Sequence, residues 1–143
     1  MSKKKYFEER KTITQVEESN SFAPKFDENG LIPVVTTDYK NGETLMHAYM
    51  NKEALQKTIE LGEAVYYSRS RKKIWHKGKI SGFIQTIREI LIDDDQDCIW
   101  LRVNVQGGSS CHVGYRSCFY RIVPFGKSLG KKTKLVLKFA ETE

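Results

Sequence analysis

The sequence has no apolar run approaching the ~18 residues of a membrane-spanning helix, so no helical membrane anchor is expected. No apolar stretch follows the basic start Met1-Ser2-Lys3-Lys4-Lys5, which therefore does not read as a secretory signal. The default compartment is cytoplasmic. No internal repeat and no low-complexity linker appears. Cysteine is scarce, with three residues, and the number is odd. A disulfide scaffold is not expected of such a chain, and metal ligation or a reactive thiol is the better use of the sulfur. The net charge of +6 invites a polyanion partner, but its placement argues against one. Residues 1–11 and 127–143 each carry five cations and two glutamates, while 12–126 balance fourteen against fourteen. The excess is confined to the tails, where solvated segments are common, and no nucleic-acid partner is expected.

What is present fits one domain spanning 1–143, with basic tails over 1–25 and 127–143. A chain of this size can hide roughly two-thirds of its unfolded surface. Phe22 and Phe26 are expected to tuck against the domain, the rest of the first 29 residues forming a loose arm. Leu31–Thr37 reads as a strand, with Pro33 at an edge or strand start. Asp38-Tyr39-Lys40-Asn41-Gly42 reads as a hairpin turn with positive φ at Asn-Gly, and Thr44–Met50 returns. Asn51 caps a helix over about 51–61, supported by Glu53 in its first turn and by apolar spacing, and Gly62 stops it. It is the one convincing helix. Ala64–Ser68 is a short strand. Phe83–Ile92 is apolar at both parities, hence a central strand. Cys98–Val105 alternates, and Cys118–Val123 reads as the last core strand. The fold class is α+β, with mainly antiparallel β sheet.

Three stretches could carry chemistry. The first runs from Ser110 to Arg121 and holds Cys111, His112 and Cys118. Its C-x6-C spacing fits either metal ligands or two thiols packed as small hydrophobes. Two thiolates do not complete a tetrahedral zinc site, so a further ligand would come from elsewhere, including a second subunit. The second is Asp93-Asp94-Asp95-Gln96-Asp97. On an extended segment the alternate carboxylates 93, 95 and 97 point the same way, and a hard cation would relieve their repulsion. A solvated acidic turn is the plain alternative. An EF-hand fails, because Cys98 stands where its glycine belongs and Asn104 where its glutamate belongs. The third is Ser68–Gly82, with six Lys/Arg and no acid between 69 and 79. Its hydroxyls, guanidinium groups and glycine amides suit phosphates, and Trp75 could stack on a base. Nonspecific RNA binding and a solvated loop are the competing readings.

Taken together these stretches resemble the phosphoribosyl-AMP cyclohydrolases of histidine biosynthesis, from about Phe26 to Val123. The matching residues include Gly30-Leu31-Ile32-Pro33, Tyr49-Met50-Asn51, Ser68-Arg69-Ser70-Arg71, Trp75-x-Lys77-Gly78-x-x-Ser81-Gly82, the spaced aspartates, Ser110-Cys111-His112-x-Gly114 and Ser117-Cys118-Phe119-Tyr120-Arg121. The resemblance implies the stand-alone enzyme, without a fused pyrophosphohydrolase. It implies hydrolytic opening of the adenine ring of phosphoribosyl-AMP at N1–C6, by zinc-activated water with His112 as acid/base. It also implies an intertwined homodimer with Zn2+ held by cysteines of both subunits and Mg2+ at the aspartates. Asp93, Asp95 and Asp97 would hold magnesium, and Cys111 and Cys118 zinc. Arg69, Ser70, Arg71, Trp75, Lys77, Gly78 and Ser81 would bind substrate. Two positions depart from the family pattern. Asp94 stands where the family has its third zinc cysteine, so that ligand is either Asp94 or the nearby Cys98. Lys79 stands where an acidic residue is common.

Overall fold

Seven residues of β1, Ile32–Asp38, form the strand on which the sheet is built, and the computed structural model describes residues 6–108, 115–131 and 134–140 around it. Val34 and Thr36 are fully buried on one face. β1 pairs antiparallel with β2 (Thr44–Met50), in register Val34↔Ala48 and Thr36↔Met46. A register shift at Thr36/Thr37 bends the pair near its turn. That turn has positive φ at Gly42 alone, whereas the Asn-Gly pair suggested it at both residues. Pro33 lies just before the β1 pairing with β6 begins at Val34, so its missing N–H leaves no gap in that ladder.

Six strands make the main sheet, in the order β4-β3-β2-β1-β6-β5. β3 is Val65–Ser68, β4 Lys73–His76, β5 Gln85–Ile92 and β6 Ile99–Val105. All neighbours are antiparallel except β1 and β6, which run parallel from Val34↔Ile99 to Asp38↔Val103. The fold is α+β, as expected, and mostly antiparallel. β5 corrects the reading of a central strand: it is last in the order, with Arg88, Glu89 and Ile90 exposed. A register shift between Ile87 and Glu89 explains its apolar residues at both parities: Ile87 lies opposite the buried Val103 before it, and Ile90 and Ile92 lie opposite the buried Leu101 and Ile99 after it. The β5 start meets the chain just before β3, where Ala64 donates to Gln85 (3.0 Å) and Ile87 to Gly62 (2.8 Å). The start of β5 is thus bridged to residues 62–64 ahead of β3, so that end of the strand is not an open edge.

The helix α2 (Lys52–Leu61) follows β2. The Asn51 side chain accepts from the Ala54 amide at 2.8 Å, and Gly62 closes the helix at φ 68° by donating to Thr58. Ala54, Leu55 and Thr58 face the sheet, while Leu61 is exposed. A second, shorter helix, α1 (Ile13–Glu18), lies in the segment expected to be a loose arm. Its Thr12/Gln15 capping box satisfies end groups at the first turn. Phe7, Phe22 and Phe26 pack against the core from the same segment.

The core consists of Ile32, Val34, Leu45, Met46, Met50, Leu55, Val65, Tyr66, Ile99, Leu101 and Val103, with their neighbours. Inside it the Tyr66 hydroxyl donates to Gln85 Oε1 (2.5 Å) and lies 2.7 Å from Thr36 Oγ1. Burial pushes the Tyr66 phenol well above its ordinary range, so it remains a neutral donor. The stretch after Cys118 corrects another expectation. Only Arg121–Ile122 (β7) is a strand there, pairing with Lys138–Phe139 (β8) in a separate, exposed ribbon.

Candidate active site

The acidic segment is a tight turn between β5 and β6, not an extended strand. Asp93 donates its amide to the Cys98 carbonyl (3.2 Å), and Asp93 Oδ1 accepts from the amides of Asp97 and Cys98 (3.0 Å each). Gln96 adopts φ 56°, a left-handed conformation uncommon outside glycine, and reverses the chain. This geometry, rather than strand alternation, gathers the carboxylates. Asp93, Asp95 and Asp97 each offer an oxygen, and the three lie within 4.8 Å of one another. Their hydrogen bonds raise Asp97 to about 6, first through Asp95 and then Asp93, with burial and mutual repulsion adding. Asp95 Oδ1 is buried with no hydrogen-bond partner. Clustered anionic oxygens and an orphaned buried oxygen suit a hard divalent cation.

Asp94 and Cys98, the two candidates the sequence offered for a third zinc ligand, sit in different surroundings in this turn. Asp94 is exposed, and its Oδ1 accepts from the Asp95 amide at 2.9 Å. Cys98 is half-buried beside the carboxylates, and burial, then the charges of Asp93, Asp97 and Asp95, push its thiol upward. Because the segment is a turn and not a straight strand, Asp94 and Cys98 are not held apart by the ~3.3 Å per residue of an extended chain.

The basic stretch forms the β3–β4 hairpin, with strand β4 where a loop was expected. Ser68 Oγ accepts from the Arg71 amide (3.3 Å) and lies 3.4 Å from Ser70 Oγ, while Lys72 turns with φ 55°. The Arg69 guanidinium stacks 4.1 Å over the Tyr49 ring. Lys77 is buried, its ammonium 5.4 Å from the Trp75 ring centroid. A cavity of about 530 Å³ is lined by Arg71, Trp75, Lys77, Gly78, Lys79 and Ser81 among others. A second, of about 680 Å³, adds Ser68, Ser70 and Cys118 to Arg71, Trp75 and Lys77. The cations, the indole and one cysteine therefore border the same space. His47 also lines it and was missed in the sequence, where a lone histidine in an apolar strand carries no distinctive spacing.

Cys118 is held by the β1–β2 hairpin. Its amide donates to the Leu45 carbonyl (2.7 Å), and Ser117 Oγ to that of Thr44 (2.7 Å). Arg116 pairs with the buried Asp38 and, at 2.5 Å, with Glu43. Cys111 and His112 lie outside the described residues. Cys98 and Cys118 do not come together within one chain. Cys98 enters β6 level with Pro33, two strands from β2, while Cys118 is bound near Leu45 at the far end of β2. Two strand spacings and three to four residues of rise separate them by on the order of 15 Å.

Comparison with known proteins accords with these features. The family model described as Phosphoribosyl-AMP cyclohydrolase matches residues 46–120, from β2 through the cysteine stretch. A protein named phosphoribosyl-AMP cyclohydrolase from Rhodopseudomonas palustris (strain HaA2) is 54% identical over 109 residues, covering 76% of this chain and 74% of its own. A protein of the same name from Nitrobacter winogradskyi is 48% identical over 126 residues, covering 88% and 86%. With the family matched across the β3–β4 hairpin, the acidic turn and the cysteine stretch, this chain belongs to the phosphoribosyl-AMP cyclohydrolase family and is an enzyme, a cyclohydrolase.

Proposed function

We propose that the chain hydrolyses the N1–C6 bond of the adenine ring of 1-(5-phosphoribosyl)-AMP, the third step of histidine biosynthesis, giving the formimino aminoimidazole carboxamide nucleotide. The observation that carries this reading is the space shared by Arg71, Trp75, Lys77 and Cys118, which brings phosphate-binding cations and an aromatic platform beside a soft ligand. Arg69, Arg71 and Lys77 bind the phosphates, with the Ser70 and Ser81 hydroxyls and the Gly78 amide completing the cradle. Trp75 stacks on the base.

The relatives' shared name supports this substrate, and the residues supply the proton movements it needs. Water adds its oxygen to C6, the C6–N1 bond breaks, and N1 leaves protonated. His112 takes the proton from the attacking water and returns it at N1; an imidazole is matched to that task near neutral pH. Zinc, when bound, supplies water activation at neutral pH. Its ligands are Cys111 and Cys118 of one subunit and a third residue of the other. The position of Cys98, half-buried beside the turn, supports it over the exposed Asp94, whose Oδ1 is engaged by the Asp95 amide. Asp93, Asp95 and Asp97 hold magnesium.

The same reading makes the protein a homodimer, because Cys98 and Cys118 of one chain are too far apart to share an ion. Exposed apolar side chains on and around the C-terminal ribbon, including Phe125, Val136 and Phe139, support a surface that a second copy covers. A cytoplasmic setting keeps the thiol ligands reduced. No helix among the described residues is long and apolar enough to cross a membrane.

Turnover of phosphoribosyl-AMP, followed by loss of purine absorbance, tests the proposal. Activity should be abolished by chelators and fall by at least 10²-fold in His112→Ala, the usual scale for losing a proton-transfer group. Metal-replete protein without turnover would overturn it. Zinc content of Cys98→Ser and Asp94→Asn then names the third ligand, the variant that loses zinc being the one that supplied it.

A further inference from the structure

The acidic turn is gripped from outside by the N-terminal arm. Gln96 is almost fully buried, and its side chain uses three hydrogen-bonding positions on that arm. Oε1 accepts from the Ala23 amide (2.9 Å), and Nε2 donates to the carbonyls of Val16 (2.8 Å) and Ser21 (2.9 Å). The Gln96 carbonyl accepts from the Lys25 amide at 2.7 Å. Arg10 closes the grip, donating to the carbonyls of Ala23 (2.8 Å) and Asp95 (3.0 Å). Apart from Arg10–Ala23, these contacts join residues more than 70 apart in sequence. They also involve an arm that precedes the matched family region, 46–120.

We propose that Gln96 and Arg10 are positioning residues that couple docking of the arm to closure of the Asp93–Asp95–Asp97 cluster, so that arm docking and divalent-cation binding strengthen each other. The proposal rests on the cation-binding reading of that cluster. Gln96 stands between two of the three carboxylates, and its left-handed backbone aims both of them. A non-glycine residue in that conformation persists only where its surroundings hold it. Three clustered carboxylates also repel one another, which favours an open turn. The arm supplies the opposing force: its backbone groups fill the Gln96 carboxamide, and Arg10 fixes the Asp95 peptide. A cation that neutralises the cluster stabilises the same closed turn. Reciprocity follows, because a cation preferring the closed turn favours the docked arm by the same factor that the docked arm favours the cation.

The test is Mn2+ binding to the full-length chain, counting only Mn2+ that excess Mg2+ displaces, together with amide hydrogen exchange over residues 12–25. Gln96→Leu should weaken Mn2+ binding by about tenfold, the size of one or two lost hydrogen bonds. Arg10→Ala, whose substitution leaves the core intact, should weaken it severalfold. In the wild type, amides of Ala23 and Lys25 should exchange more slowly with Mn2+ bound, and this protection should vanish in Arg10→Ala. A wild type that binds no displaceable Mn2+ overturns the cation reading and the coupling with it. Wild-type binding matched by Arg10→Ala, with exchange of the arm indifferent to Mn2+, overturns the coupling alone, whether or not Gln96→Leu folds.

Discussion

At Gly78 the backbone turns with φ 84°, and a Cβ added there would lie 2.3 Å from the Ile84 amide nitrogen. Left-handed strain and a backbone clash add, so Gly78→Ala should cost about 2–4 kcal/mol, measurable as a lowered urea midpoint. The sequence singled out this glycine only through the family resemblance, as an expected substrate contact; its packing against residues 83–84 left no sequence signal, because that contact depends on the turn closing. Asp97 makes a pH-dependent contribution to the stability of the ion-free chain. Its folded value of about 6 lies above the ~4 of an unfolded aspartate, so between those values the folded state binds more protons. The stabilisation it contributes is complete below pH ~4 and is lost as pH rises through 6. Without divalent cation, the melting temperature should therefore receive a falling contribution over that window. Mg2+ should raise the melting temperature more at pH 7.5 than at pH 5, and Asp97→Asn should abolish that difference, as differential scanning fluorimetry would register.

Among the elements, α2 was legible almost to the residue, because its cap, its stop and its apolar spacing are all local. Asn51, Glu53 and Gly62 act within one helical turn of their own positions. The hook between residues 116–118 and the β1–β2 hairpin was not legible, since Arg116 meets Asp38 and Glu43 across more than 70 residues. Arg116→Met would leave the buried Asp38 carboxylate without its cation. With Arg116 itself partly exposed, the expected loss is about 1–2 kcal/mol by urea denaturation, and Asp38→Asn in the same chain should recover part of it. The β5 strand shows the converse limit. Its apolar residues at both parities match a central strand, yet a register shift between Ile87 and Glu89 produces the same pattern at the end of the strand order by changing which parity faces inward.

At the scale of the whole molecule, the proposed zinc site predicts a dimer of about twice 16.6 kDa by light scattering. Replacing Phe125 and Val136 together with glutamate should shift it toward monomer and remove activity. Subunit mixing gives a sharper outcome. Cys98→Ser and Cys118→Ser chains should each be inactive alone. Refolded together in equal amounts they should regain about a quarter of wild-type activity, since half the dimers are mixed and each has one of two symmetric sites intact. No recovery would overturn the site shared between subunits.

By itself the sequence determined the local chemistry: the caps of α2, the inward alternation of β6, the basic stretch with its indole, and the run of aspartates. These depend on residue type and short spacing, which the backbone converts directly into geometry. Tertiary structure decided what those pieces do together. It turned the aspartate run into a closed cluster instead of a strand face, placed Cys118 beside Arg71 and Lys77, and kept Cys98 away from both. It also brought the arm from Arg10 to Lys25 onto Gln96. Each of these outcomes depends on strand order, sheet curl or the direction of a left-handed residue, and contacts spanning seventy residues leave no periodic trace in the chain that makes them.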